Sequence, residues 1–258
     1  MAGPRTVWVT GAGSGMGATH ARGFAESGDR VACWDIQPQA LDRIVGEIRA
    51  AGGEAEGLVA DVTDWDALQG GAQRAREALG PVQVVVVNAG VILSGDHIES
   101  LDINEWRRVI DVNLTGSFLT AKAAIPQLRE TRGERRLILI SSVCGLTASA
   151  GFGAYNASKH GVIGLMRTLA NELGPDGITV NAICPGWVRT PMMQPSIEAA
   201  GADPSDLGAF TGMSLIERLV EPHEVTETIL WLASSAAAMV TGVALPMDGG
   251  LMEKRSWP

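Results

Sequence analysis

The sequence predicts an α/β fold built on a parallel sheet. Short β-branched runs, bounded by Gly, Asn, Asp or Ser, alternate with longer segments of helical period. Several of the runs are apolar at nearly every position, as strands covered on both faces by helices must be. No composition break, charge run, low-complexity linker or internal period divides the 258 residues. That length falls between one and two domains of roughly 150 residues each, so a single domain over 1–258 is the simpler expectation.

Seven strands are expected. The first, 6–10, leads through a glycine-rich turn into a helix over 16–27, and the second, 30–34, into a helix over 39–51. The third strand, 57–60, precedes a helix over 64–79 that opens on Asp64, with Ala67 and Leu68 following on one face. The fourth strand, 82–87, is followed by a long helix over 104–131 that Pro126 should kink. The fifth, 137–141, leads to a helix over 154–173, and the sixth, 178–183, to an irregular segment. A helix over 222–235, with Pro222 in its first turn where a missing N–H is tolerated, precedes the seventh strand, 243–247. The nearly apolar stretch 229–247 reaches membrane-spanning length, but Ser234, Ser235, Thr241, Gly242 and Pro246 make it a helix end, a turn and a strand.

Gly186 to Ile216 is too long and too rich in Gly and Pro for an ordinary connection. Met192, Met193, Phe210 and Met213 would be costly to leave in water, which favours a lid over about 187–216 that closes on something apolar.

With 20 basic and 29 acidic side chains the net charge is −9, a balance that would repel nucleic acid or an anionic membrane surface. Cys33, Cys144 and Cys184 form neither a disulfide framework nor a CxxC site, and the N-terminus lacks a signal-peptide core, so a cytoplasmic protein is expected. His20, His97, His160 and His223 form no HExxH or Cys-His cluster, and no metal is expected.

The first strand runs into Gly11-Ala12-Gly13-Ser14-Gly15-Met16-Gly17. Such a turn lets the backbone approach a pyrophosphate whose charge the following helix N-terminus stabilises, although alone it also reads as a flexible turn. Asp35, ending the second strand, stands where a carboxylate can bind both hydroxyls of an adenosine ribose, with Ile36 beside it. A 2′-phosphate there would be repelled by about 3 kcal/mol at 5 Å and an effective dielectric near 20, so NAD is expected over NADP.

The chain has one tyrosine, Tyr155, and Lys159 follows one helical turn later, so both side chains emerge on one face. Alone the pair also reads as a surface feature. An ammonium about 5 Å from the phenol would bring its pKa down toward neutrality, as acid/base work requires. Ser142 ends an apolar strand, where sites collect in open α/β sheets, and could donate to a substrate oxygen. Cys144 lines the same pocket or simply packs, and Trp187 either contacts substrate or caps the core.

Together, Thr10-Gly11-x-x-x-Gly15-x-Gly17, Asp61-Val62, Asn88-Ala89-Gly90, Asn113, Ser142, Tyr155-x-x-x-Lys159 and Pro185-Gly186 resemble the short-chain dehydrogenase/reductase family in order and spacing, through Thr241-Gly242 and Asp248-Gly249-Gly250. The resemblance implies one Rossmann domain, a doubly wound seven-stranded parallel sheet with helices on both faces. It implies a tetrad of Asn113, Ser142, Tyr155 and Lys159. Tyr155 is then the acid/base, Ser142 polarises the substrate oxygen, Lys159 binds the nicotinamide ribose, and Asn113 holds a relay water through its backbone. It places Asp61 and Val62 at the adenine, Asn88 and Gly90 at the adenosine-side ribose, and Val188 and Thr190 at the carboxamide, with Gly11, Ser14, Gly15, Met16, Gly17, Pro185 and Gly186 completing the cofactor set. Neutral Ser14 stands where NADP-preferring members often carry a cation, in keeping with Asp35. Val87 replaces a common Asn, which puts one inter-strand bond in doubt. The reaction so implied is hydride transfer between NAD(H) and a secondary alcohol or ketone, with Ser142, Cys144, Tyr155, Trp187 and Met192 around a hydrophobic aryl, terpenoid, cyclic or steroid substrate. The family's usual homotetramer would suit Gly161, Gly164, Met166 and the apolar C-terminal stretch. The alternative is a dinucleotide-binding regulatory protein of the same fold without turnover.

Overall fold

The computed structural model describes residues 3–92, 95–194, 197 and 207–254. Seven parallel strands, β1 (Thr6–Thr10), β2 (Arg30–Asp35), β3 (Glu54–Val59), β4 (Val84–Val87), β5 (Arg135–Ile140), β6 (Ile178–Pro185) and β7 (Ala244–Met247), form one sheet in the order β3-β2-β1-β4-β5-β6-β7. The order reverses between β1 and β4, which pair directly through Val7↔Val84 and Trp8↔Val85. A crevice at the strand ends beside such a switch point is where open α/β sheets bind ligands.

Alternation along the strands sends neighbouring residues into different cores. Trp8, Ala32, Trp34, Val85 and Leu137 belong to one apolar cluster, and Val7, Val9, Val31, Val84 and Ile138 to another. The first is closed by α3 (Trp65–Leu79), α5 (Gly116–Glu130) and α6 (Gly153–Leu173) through residues such as Leu68, Leu128 and Met166. The second is closed by α1 (Gly15–Glu26), α2 (Pro38–Ala50) and α8 (Pro222–Leu232), the last preceded by the short α7 (Gly208–Thr211), through Phe24, Ile44 and Ile229. Helices thus cover both faces, as the apolar strands require. Met166 is buried in the first cluster and offers nothing to a subunit surface.

Three elements depart from expectation by more than two residues or by a break. β3 begins at Glu54 rather than 57, because it is an edge strand that pairs with β2 alone and leaves Glu54 exposed. The expected single helix over 104–131 is α4 (Ile103–Ile110), a wider π-helical turn (Asp111–Thr115) and α5, which runs on through Pro126 to Glu130. The irregularity therefore sits at Asn113, whose side chain is pulled toward β4 and α6. The expected helix over 222–235 ends at Leu232. Asp64 caps α3 by accepting from the Ala67 N–H at 3.0 Å, and Pro222 opens α8 behind a reciprocal Glu221–Glu224 capping box. Among the described residues no helix is long and apolar enough to cross a membrane.

His20, on α1, is fully buried against Thr226 of α8, with Nδ1 2.7 Å from the hydroxyl. That hydroxyl donates to the Pro222 carbonyl at 3.1 Å, so the imidazole must donate through Nδ1. Nε2 is buried without a hydrogen-bond partner, and burial lowers the imidazole pKa from 6.5 to about 3. Between those values the unfolded chain binds a proton that the native protein refuses, so stability falls as pH falls through this window. Relative to His20→Gln, the wild-type chain is expected to lose about 1–2 kcal/mol more stability between pH 7 and 5, at 1.36 kcal/mol per pKa unit, measured by urea unfolding at each pH. Equal losses would contradict this.

Candidate active site

The first recess, of ≈ 300 Å³, opens at the ends of β1, β2 and β4. Gly11 (φ +67°) and Gly15 (φ +52°) supply the left-handed backbone of the turn entering α1. A β-carbon on Gly17 would strike the Gly11 carbonyl oxygen, so only glycine lets α1 start this close to the loop. Gly11, Ser14, Gly15, Met16, Asp35 and Ile36 line the recess together with Asp61, Val62, Asn88, Gly90 and Thr190. Gly17 alone of the expected glycine-loop residues does not line it and instead seats the helix on the loop.

The carboxylate of Asp35 is held at both oxygens: Oδ2 accepts from the Gly13 N–H at 2.9 Å and Oδ1 from the Gln37 N–H at 3.0 Å. It is fixed in place with acceptor capacity remaining for a diol. Asp61 accepts through Oδ1 from both the amide and the hydroxyl of Thr63, at 2.8 Å each. Asn88 donates to Thr10 through its amide N–H at 3.0 Å and its side-chain Nδ2 at 2.9 Å. These bonds tie the end of β1 to that of β4, so the link that Val87 put in doubt is made elsewhere, and Val87 packs in the core. Asn88 Oδ1 is buried with no hydrogen-bond partner.

The second recess, of ≈ 270 Å³, lies beyond the first and shares Met16, Thr190 and Met192 with it. Ser142, Cys144, Tyr155, Trp187 and Met192, the five expected substrate residues, all line it. Pro185, Gly186 and Val188, expected at the cofactor, line this recess instead of the first. Met193 and Met213 of the expected lid also line it, while sequence reasoning missed Ile92, Phe152 and Leu251, which come together only through the fold. Phe152, one helical turn before Tyr155, was the one within reach of a spacing argument. Within the expected lid, residues 195, 196 and 198–206 lie outside the described residues. Met193, Ile197, Phe210 and Leu219 form a small apolar cluster with Trp187 and Leu207 against it.

Tyr155 and Lys159 emerge on one face of α6, with the Lys159 Nζ 5.5 Å from the centre of the phenol ring. Nζ donates to the Ile140 carbonyl at 2.9 Å. The Ser142 hydroxyl accepts from the Cys144 N–H at 3.1 Å and donates to the Pro185 carbonyl at 3.5 Å, near enough to the phenol to favour its ionised form. Asn113 accepts from the Val91 N–H at 2.8 Å and donates to the Val91 carbonyl and the Ser158 hydroxyl at 2.9 and 3.0 Å. The four residues of the expected tetrad are buried; Ser142 and Tyr155 line the second recess, while Asn113 and Lys159 sit behind the walls and line neither.

One electrostatic expectation is overturned. Burial pushes the Tyr155 phenol above its ordinary pKa, the Cys144 thiol acts in the same direction, and the Ser142 hydrogen bond opposes them. Burial also pushes the Lys159 ammonium down to about 8, against the nearby Cys184 and Cys144. Burial, which makes a phenolate costly, is the largest influence, so the phenol stays protonated at neutral pH.

A family model described as enoyl-(acyl carrier protein) reductase matches residues 11–252. The chain is 38% identical to the cis-4-hydroxycyclohexanecarboxylate dehydrogenase of Sinomonas cyclohexanicum over 95% of this chain and 96% of that one. It is 34% identical to the (-)-trans-carveol dehydrogenase of Rhodococcus erythropolis, covering 94% of this chain and 95% of the relative. The crystal structure of carveol dehydrogenase from Mycobacterium avium in complex with NAD superposes with a TM-score of 0.93, at 32% identity, over 98% of this chain and 99% of that one.

Proposed function

The chain belongs to the short-chain dehydrogenase/reductase family, as an oxidoreductase of alcohols, and we propose that it interconverts a hydrophobic cyclic secondary alcohol and its ketone using NAD(H). The observation that carries this reading is that Tyr155 and Ser142 line an apolar recess sharing Met16, Thr190 and Met192 with a glycine-walled crevice, with Lys159 Nζ 5.5 Å from the phenol ring.

The first recess suits a dinucleotide. The partnerless Asn88 Oδ1 offers an acceptor, the glycine turn leaves room for a pyrophosphate at the start of α1, and Asp35 presents a fixed carboxylate to a ribose. Asp61 and Val62 flank the adenine, Asn88 and Gly90 the adjoining ribose, and Thr190 and Val188 the carboxamide. When bound, NAD(H) supplies the hydride-carrying centre.

In the direction of reduction, Tyr155 donates its phenol proton to the substrate oxygen. Its raised pKa serves that step, since the phenol is protonated at working pH and an alkoxide is the stronger base. Ser142 Oγ aligns the same oxygen. Lys159 holds the nicotinamide ribose. Asn113 spends its side chain on Val91 and Ser158, and its carbonyl accepts from Ser117 Oγ at 2.6 Å, which leaves a second lone pair for a relay water. A widened helical turn at a functional residue is the usual setting of a π-bulge.

The two relatives are named for six-membered-ring alcohols, one of them a carboxylate and the other a terpenoid, and the predominantly apolar recess here sides with the terpenoid, so the substrate is a hydrophobic alcohol. The setting proposed is the cytoplasm and the assembly a homotetramer, for which Met239, 95% exposed, and the exposed Trp231 and Val243 supply apolar surface. The test is absorbance at the reduced-nicotinamide band with NAD and a panel of cyclic alcohols. Growth of that band with at least one ring alcohol is expected. Bound NAD with no turnover of any alcohol would favour a binding protein instead.

A further inference from the structure

Resting on the reading that the second recess holds the alcohol, we infer that it takes an uncharged six-membered-ring alcohol or ketone and rejects the same ring bearing a carboxylate. Among the described residues, no Asp, Glu, Lys, Arg or His side chain lines the recess. Its polar side chains are chiefly hydroxyls, with Ser141, Ser142 and Tyr155 buried, Thr190 half-buried, and Thr147 and Ser149 exposed, beside the indole of Trp187. The expected lid carries one cation, Arg189, which is exposed and paired with Glu221 at 2.9 Å. From Thr190 to Ile216 there is no Lys, Arg or His, while Glu198, Asp203 and Asp206 are acidic, so this segment brings no cation to a bound anion wherever its residues lie.

The cations at either end of the recess have other partners. Lys159 donates to the Ile140 carbonyl at 2.9 Å. Lys254, three residues past the lining residue Leu251, donates to the carbonyls of Gly212 and Ser214 at 2.6 and 3.1 Å and lies 3.3 Å from Glu217. A carboxylate entering here would shed its hydration and meet only hydroxyl dipoles.

Shape selects the ring. Tyr155, Phe152, Trp187 and Phe210 form an edge-to-face series, with successive centroids 6.4, 6.5 and 4.8 Å apart. Met192, Met193 and Met213 also line the recess. Aromatic walls give a rigid apolar face beside the phenol, and thioethers fit themselves to the edge of whatever ring enters.

The test compares ketones with NADH, because the reduced nicotinamide is uncharged and lends no cation to an acid. The full-length protein is expected to reduce 4-methylcyclohexanone with a kcat/KM at least roughly a hundredfold above that of 4-oxocyclohexanecarboxylate, or about 2.7 kcal/mol at 1.36 kcal/mol per decade. The methyl ester of the acid, which masks the charge on the same ring, should recover most of the loss. Phe152→Leu should lower kcat/KM for the ring ketones about three- to tenfold more than for 2-octanone, chiefly through KM. Equal or better use of the acid would overturn the uncharged-substrate inference and leave the hydride-transfer reading standing. Preference for 2-octanone over both rings would overturn the ring assignment. If NADH binds and no ketone is reduced, the functional reading fails and this inference with it.

Discussion

Tyr155→Phe is expected to fold, to bind NADH with wild-type affinity within about twofold, and to lose at least roughly a hundredfold in turnover, the scale of lost acid/base catalysis. The variant removes one oxygen. The aromatic body that packs against Val109 and Ala154 is kept, and the edge-to-face contact with Phe152 at 6.4 Å survives, so no cavity forms. What disappears is the group facing the Ser142 hydroxyl at the junction of the two recesses. A pH signature accompanies the assignment. With the phenol held above its ordinary pKa by burial, the base form is scarce at neutral pH, so oxidation of alcohol should accelerate as pH rises while reduction of ketone, which uses the protonated form, should not. Single-turnover absorbance with saturating cofactor reads both quantities. A variant that turns over at near wild-type rate would remove Tyr155 from the mechanism.

The second large effect concerns the choice of cofactor. The wild-type protein is expected to prefer NAD over NADP about a hundredfold or more, from repulsion of about 3 kcal/mol between the Asp35 carboxylate and a 2′-phosphate. Asp35→Ala should reduce that ratio below about tenfold. The structure adds a reason beyond the missing charge. Both carboxylate oxygens now occupy the N–H groups of Gly13 and Gln37, and removing them leaves two amide donors facing the place where the phosphate would lie. Arg43, whose Nη2 donates to the Gly13 carbonyl at 2.9 Å, is close enough to assist. Fluorescence titration with each cofactor measures the ratio, and an unchanged ratio would detach Asp35 from the ribose.

Much of the fold was legible because its strands are apolar on both faces. Val84–Val87 carries no polar residue at all, and such a run has few places to go except the middle of a covered sheet. The edge strand β3 was harder to delimit, since Glu54 and Glu56 look like surface residues until β2 is found beside them. The break at 111–115 was hidden for a different reason: helical periodicity passes through it almost undisturbed, and only the bonds from Asn113 to Val91 and Ser158 explain the wider turn. At the site, spacing alone sufficed to put Tyr155 and Lys159 on one helix face. The direction of the phenol's pKa was beyond it, because burial is a tertiary property and here it is the largest influence on the phenol. Phe152, Met213 and Leu251 reach one recess from α6, the segment after β6 and the chain beyond β7, a convergence that no local pattern encodes.

A crystal structure of the protein with NADH and a ring alcohol or unreactive analogue in the apolar recess is the most direct trial. The account predicts the ligand oxygen within hydrogen-bonding reach, roughly 2.6–3.2 Å, of both Tyr155 Oη and Ser142 Oγ, with the nicotinamide between Thr190 and the phenol. A dinucleotide seated elsewhere, or a ligand oxygen directed away from that phenol, would contradict it.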